Sequence, residues 1–185
     1  REDMGAYSNL LHELEGLSGA INGDFGELDW MPVRFIHRNA ARKRLPGLYR
    51  MARVALVTPL RDGMNLVAKE FVAAQDPTDP GVLVLSRFAG AAEQLKDALL
   101  VNPYDPDGMA DTMQRALQMP LEERQSRHQK LLESIQTQDV HWWRKTYLQA
   151  LDEAGSEQGV PASTPNPPNR LGQRPGLLIG QAHLK

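Results

Sequence analysis

Val54-Ala55-Leu56-Val57-Thr58-Pro59-Leu60-Arg61-Asp62-Gly63-Met64-Asn65-Leu66-Val67-Ala68-Lys69-Glu70 decides the fold of this chain. Its first five residues form a short apolar run, the composition required of a strand buried on both faces of a parallel sheet. A loop with Pro59 and Gly63 follows, and residues 65–74 then have the character of a helix. Glycine at 63 would let the backbone take a positive φ or come close to a ligand. Residues 81–85 and 98–101 are further buried apolar runs, with a helix expected between them at 89–96. Strands alternating with helices at this spacing predict an α/β fold, a Rossmann-like parallel sheet with helices on both faces.

Outward from this centre, Tyr7, Leu10, Leu11, Leu14, Leu17 and Ile21 recur at helical spacing, which predicts an amphipathic helix over 3–19. Gly19, Gly23 and Gly26 read as loop punctuation. Residues 32–37 alternate as a strand does. Residues 41–51 read as a short helix with Leu45, Leu48 and Met51 on one side and Pro46 either in its first turn or kinking it. Downstream, a helix over 107–119 carries Met109, Met113, Ala116 and Leu117 on one face, and one over 121–136 carries Leu131, Leu132 and Ile135. Asp139 is placed as the N-cap of a last helix. Val140, Trp143, Tyr147, Leu148 and Leu151 form a stripe on it wide enough to need a partner surface. From Gly155 onward Gly, Pro, Ser and Asn dominate, too polar to offset the entropy of ordering. The expected organisation is one domain over 1–151 and a disordered Pro/Gly-rich tail over 152–185.

Composition narrows the classes of function. The chain has 185 residues, 41% of them hydrophobic, enough for one domain with a real core. A formal net charge of −2 argues against a dedicated nucleic-acid partner. The basic residues at 38–44 read as a solvated helix face. Cysteine is absent, which excludes disulfides and thiolate metal sites. No apolar run approaches the ~20 residues of a membrane helix, and no signal peptide is visible, so no membrane partner and a cytoplasmic location are expected. Arg1 stands in what reads as the middle of a folded unit, and the chain is expected to be a piece of a longer protein.

In open α/β sheets, ligands sit beyond the carboxyl ends of the strands. The loop after Thr58 leaves such an end and leads directly into a helix, whose first N–H groups and dipole favour a phosphate. Glu70 lies roughly 7.5 Å along that helix at ~1.5 Å per residue, a suitable offset for a carboxylate accepting from a ribose. Asp62, ahead of the helix, would accept from sugar hydroxyls. A strand-loop-helix with an acid at each end also arises for structural reasons, Asp62 as a turn residue and Glu70 as an exposed helix residue.

Residues 61–71, Arg-Asp-Gly-Met-Asn-Leu-Val-Ala-Lys-Glu-Phe, resemble the donor-site motif of the trehalose-6-phosphate synthases, retaining glycosyltransferases of the GT-B fold. The likeness continues through Asn22-Gly23, residues 56–60, 80–86, 88–92 and 101–105, in the family's order. The resemblance implies the C-terminal, nucleotide-sugar-binding domain of an enzyme that transfers glucose from UDP-glucose to glucose-6-phosphate with retention. It implies no cofactor and no metal. Carried over by position, Asp62 would hold the donor glucose hydroxyls as the catalytic residue. Gly63, Met64, Asn65, Leu66 and Val67 would line the glucose and diphosphate through backbone N–H groups, and Glu70 would bind the ribose. Ala40 would lie near the uracil, where the family often has an aromatic residue. Arg1 would contact the acceptor phosphate, although Arg1-Glu2-Asp3 departs from the family's pattern.

The implied partners are both substrates and a missing N-terminal domain of the same protein, and a homo-oligomer is compatible with the reading. A diphosphate brings roughly two negative charges and a helix end about half a positive one. Arg61 is the only cation near the motif, so the chain alone is expected to be inactive. A non-catalytic nucleotide-sugar-binding or regulatory domain is the alternative.

Other motifs are weaker. Asp105-Pro106-Asp107 imitates a metal-binding Asp-x-Asp but reads as a helix start. The five histidines show no zinc spacing. There is no Gly-x-Ser-x-Gly elbow, and no Gly-x-Gly-x-x-Gly follows a predicted strand. Trp142 and Trp143 read as packing anchors rather than a sugar platform.

Overall fold

The computed structural model describes residues 4–38 and 41–157. Arg1 and Ala40 lie outside the described residues, as does most of the expected tail. The chain divides into two compact units, Arg1–Ile135 and Gln136–Lys185.

The first unit is built on three parallel strands in the order β1 (Val54–Val57), β2 (Val82–Ser86) and β3 (Leu99–Val101). Val54 pairs with Val82, and Val84 with Leu99. Helix α3 (Leu66–Ala74) connects the first two strands and the short α4 (Ala91–Gln94) the second and third. Alternation along β2 separates two cores. Leu83 and Leu85 point into one with Ala68, Phe71, Val72, Leu95 and Leu131. Val82 and Val84 point into the other with Leu99, Val101, Ala116 and Met119. Helices therefore cover both faces, α3 and α6 (Leu121–Thr137) on one and α5 (Pro106–Gln118) on the other. A fully buried side chain such as Phe71 contributes about 1.5–3 kcal/mol to that packing.

The three buried strands expected after residue 53 and most helices are present, and their ends follow local chemistry. Asp105 caps α5 by accepting from Gly108 N at 3.0 Å, with Pro106 in the first turn, so Asp105-Pro106-Asp107 is a helix start. Asp139 accepts from the N–H groups of His141 and Trp142, both at 2.9 Å, and starts α7 (Val140–Glu157) in the second unit. Pro46 sits in the first turn of α2 (Leu45–Met51), after a single 3₁₀ turn at Arg42–Arg44.

Several expectations are corrected. The first helix, α1 (Met4–Phe25), runs through Gly16, Gly19 and Gly23 instead of ending near 19. Its far end is anchored by Asn22, whose amide donates to the Val33 carbonyl and accepts from the Val33 N–H, both at 2.9 Å. The same contact explains why 32–37 is not a strand: the groups of Val33 that a sheet ladder would use are taken by a side chain. On α2 the apolar side is not the expected one. Met51 is 85% exposed and Leu48 also faces outward, while Tyr49 packs against the core. The helix expected at 89–96 shrinks to Ala91–Gln94 because residues 88–90 form a turn bonded to another loop. On α5, Ala116 is buried but Leu117 is exposed. Among the described residues no helix is long and apolar enough to cross a membrane.

Candidate functional site

The loop after β1 and the start of α3 bring together Asp62, Gly63, Met64, Asn65, Leu66, Val67 and, one turn on, Glu70. This is the carboxyl end of the strand, where a parallel sheet opens. The loop is organised by Asp62. One carboxylate oxygen accepts from Met64 N at 3.1 Å and the other from the Asn65 side-chain amide at 3.0 Å. Asn65 in turn caps α3, its side-chain oxygen accepting from Ala68 N at 2.9 Å. That takes one of the unpaired N–H groups of the first helical turn and leaves those of Leu66 and Val67 without an intrahelical acceptor.

Asn65 pays for its double role with φ 78°, the only positive φ of a non-glycine residue among those described. Such backbone is disfavoured for a side-chain-bearing residue, and Asn tolerates it best. Gly63, by contrast, has no left-handed φ, and a Cβ built on it meets nothing within 4 Å. Of the two reasons for a glycine there, the protein's own conformation is not one. Space for a close neighbour from outside the chain is the other.

Below the loop, the 88–91 turn holds it through main-chain bonds. Asp62 N donates to Phe88 O at 3.2 Å, Gly90 N to Asp62 O at 3.0 Å and Ala91 N to Met64 O at 2.7 Å. Asp62 and Ala89 form an isolated parallel bridge, so this loop and the turn pair again past the end of β1 and β2, one residue out of the strands' register.

Glu70 is not a solitary acid. It shares a hollow of ≈ 550 Å³ with Arg42, Leu45, Pro46, Tyr49, Ala73 and Ala74. Tyr49 faces the same hollow as Glu70, and the Glu70 charge acts on its phenol. Partial burial, followed by the Glu70 charge, raises the Tyr49 phenol above its ordinary value. Tyr49 is held by Phe71, edge-on at 6.5 Å between ring centroids. The sequence reading missed Tyr49 and Arg42. Positions 42, 45, 46 and 49 do lie at helical spacing, but apolar content alone favoured the Leu45, Leu48, Met51 side.

Arg61 is exposed and makes no ion pair among the described residues. Phe88 and Tyr104, both partly exposed, meet edge-on at 6.0 Å at the ends of β2 and β3. The loop can therefore accept hydrogen bonds through Asp62 and Glu70 and donate them through backbone N–H groups. It carries little positive charge of its own.

A parallel α/β sheet with helices on both faces and a loop leading into a helix at its carboxyl end belongs to the Rossmann-like class of folds. The model of Glycosyltransferase family 20 matches residues 1–153, and the chain belongs to that family. It is 54% identical over 151 residues to a trehalose-6-phosphate synthase of Enterobacter sp. (strain 638), a match covering 82% of this chain and 32% of that protein. Among solved structures, it resembles an α,α-trehalose-phosphate synthase (UDP-forming) from Burkholderia xenovorans in complex with glucose-6-phosphate. The TM-score is 0.76 at 56% identity, over 80% of this chain and 33% of the other. An E. coli relative bound with UDP-2-fluoro glucose gives a TM-score of 0.76 at 52% identity, over 82% and 34%. The chain thus spans about a third of the length of the relatives it matches.

Proposed function

We propose that residues 1–151 are the donor-binding part of a trehalose-6-phosphate synthase, followed by a Pro/Gly-rich tail over 152–185. The reaction moves glucose from UDP-glucose to glucose-6-phosphate with retention. The C1–O bond to UDP breaks, C1 bonds to the acceptor hydroxyl oxygen, that hydroxyl loses its proton, and UDP leaves. Negative charge builds on the departing diphosphate, so groups fixed around it before reaction lower the barrier most. Here the N–H groups at the start of α3 meet the diphosphate, Asp62 accepts from the glucose hydroxyls, and Glu70 accepts from the ribose. Ala40 lies near the uracil and Arg1 near the acceptor phosphate.

The observation that carries the reading is the loop at the carboxyl end of β1, where Asp62 holds Met64 N and the Asn65 amide beside the open N–H groups at the start of α3. It is supported by family membership and by relatives crystallised with glucose-6-phosphate and with a fluorinated UDP-glucose. The remaining substrate groups and the cations fall to the rest of a longer protein. Two surfaces suit such a neighbour. β1 pairs only with β2 among the described residues and leaves Leu56 44% exposed, while every residue of β2 is buried. In the second unit, Val140, Trp143, Tyr147, Leu148 and Leu151 on α7 are all exposed.

UDP release from UDP-glucose and glucose-6-phosphate, measured on the full-length protein and on this chain alone, tests the reading. Turnover is expected from the full-length protein and none from the chain alone. Asp62→Ala in the full-length protein should lower kcat/KM by about 10²–10³-fold, the usual loss for one preorganised polar group. Full activity in that variant, or turnover with a different donor only, overturns the assignment.

A further inference from the structure

Gly90 is the N-cap of α4, with φ −58° and ψ −27°, a conformation any L-residue adopts. Only space excludes a side chain there. A Cβ on Gly90 would lie 2.2 Å from the Gly63 carbonyl oxygen, 2.9 Å from its carbon and 3.4 Å from Met64 N. All three are backbone atoms, and none can step aside by a rotamer change.

We propose that Gly90 is a positioning residue for donor transfer: its bare Cα seats the Gly63 carbonyl and so sets where the 62–64 backbone meets the sugar diphosphate. The inference rests on the donor-site reading of that loop. The two sides of the contact are unequal. Ala89, Ala91 and Ala92, around Gly90, are buried in the core, whereas Gly63 and Met64 are exposed. A methyl at 90 would therefore displace the loop rather than the turn, by about 1 Å if ordinary van der Waals contact is restored. The displacement would strain Gly90 N to Asp62 O and Ala91 N to Met64 O, the bonds that carry the position of the turn to Asp62 and the α3 start. Gly90 itself touches no substrate.

Gly81 provides a matched control at the opposite end of β2. A Cβ there would lie 2.4 Å from the Ala52 carbonyl oxygen and 3.0 Å from both Gln75 Oε1 and Phe71 Cζ. Gly90→Ala and Gly81→Ala are made in the full-length protein, with melting temperature and steady-state kinetics for both substrates. Both variants should melt lower than the parent. Gly90→Ala alone should raise KM for UDP-glucose, with kcat/KM falling about 10- to 100-fold, the scale of a ~1 Å misplacement, while KM for glucose-6-phosphate stays at the parental value. Equal kinetics in the two folded variants, or equal losses for both substrates, overturn the proposal. Amide hydrogen exchange of the parent with and without UDP decides the matter should Gly90→Ala fail to fold. The Gly90 and Ala91 amides should gain protection on UDP binding while the Gly81 amide, bonded to Gln75, does not. No gain at 90 and 91 refutes the coupling. A parent that binds neither UDP nor UDP-glucose refutes instead the donor-site reading beneath it.

Discussion

The two ends of the parallel sheet are built on opposite plans. At the amino end of β2, the chain fills its own space. Gln75 is buried, its amide donating to the Tyr49 carbonyl at 2.6 Å and its oxygen accepting from Gly81 N at 2.8 Å. Arg124, 6% exposed, donates to Asp79 at 2.6 Å and to the Pro80 carbonyl at 2.5 Å. His128 is buried beside it, with Nε2 3.1 Å from the Val72 carbonyl. At the carboxyl end, polar groups bond within one short loop, a non-glycine residue takes a positive φ, and a glycine faces open space. Packing thus explains the amino end, while the carboxyl end is held by bonds within its own loop and stays open to solvent. Interiors are close-packed, and a site for a ligand is where a sequence stops obeying that rule.

If this contrast is right, the largest loss of stability comes from the amino end and leaves the donor site alone. Arg124→Met keeps most of the side-chain volume but leaves the Pro80 carbonyl without its donor. About 2–3 kcal/mol should be lost in chemical denaturation, with KM for UDP-glucose unchanged in the full-length protein. A shifted KM with intact stability would reverse the roles assigned to the two ends.

A smaller effect separates capping from strain in the carboxyl loop. Asn65→Ala loses both the cap on α3 and the tolerance for φ 78°, and should cost about 2 kcal/mol. Asn65→Gly loses the same side-chain bonds, to Ala68 and Asp62, but keeps the tolerance for φ 78°, and should cost only about 1 kcal/mol. Equal denaturation midpoints for the two variants would mean that the positive φ stores nothing.

Acid sharpens the comparison with the smallest expected change. Asp76, in the turn leading to β2, is held below the ordinary aspartate range, first by the Thr78 N–H, then by the Thr78 hydroxyl and by Arg50. A depressed folded-state value stabilises above the unfolded value, and that contribution disappears as pH falls through the folded one. Stability should therefore decline on acidification below the ordinary aspartate range, and Asp76→Asn should flatten that part of the curve. An identical acid profile in the variant removes Asp76 from the account.

Legibility in the sequence followed the range of the interaction. The three strands were readable because Val54, Val82 and Leu99 begin runs that leave no polar face, and only burial on both sides explains such runs. The last helix was readable from Asp139 for the same local reason as α5 was from Asp105. The strand expected at 32–37 failed because its alternation was real but its hydrogen-bonding groups went to Asn22, a choice no local pattern encodes.

By itself, then, the sequence determined a parallel α/β core and its helix starts, and it carried the family likeness in the run from Asp62 to Glu70. Only tertiary structure decided that Asn65 rather than Gly63 carries the left-handed φ, that Tyr49 shares the hollow of Glu70, and that Gly90 lies under the Gly63 carbonyl. Periodicity and capping act within a helical turn or a strand pair of side chains, and the residues involved are near neighbours in the chain. The Tyr49 and Gly90 features depend on how β1 and α3 sit against β2 and α2, contacts about twenty or more residues apart that exist only once the sheet has closed.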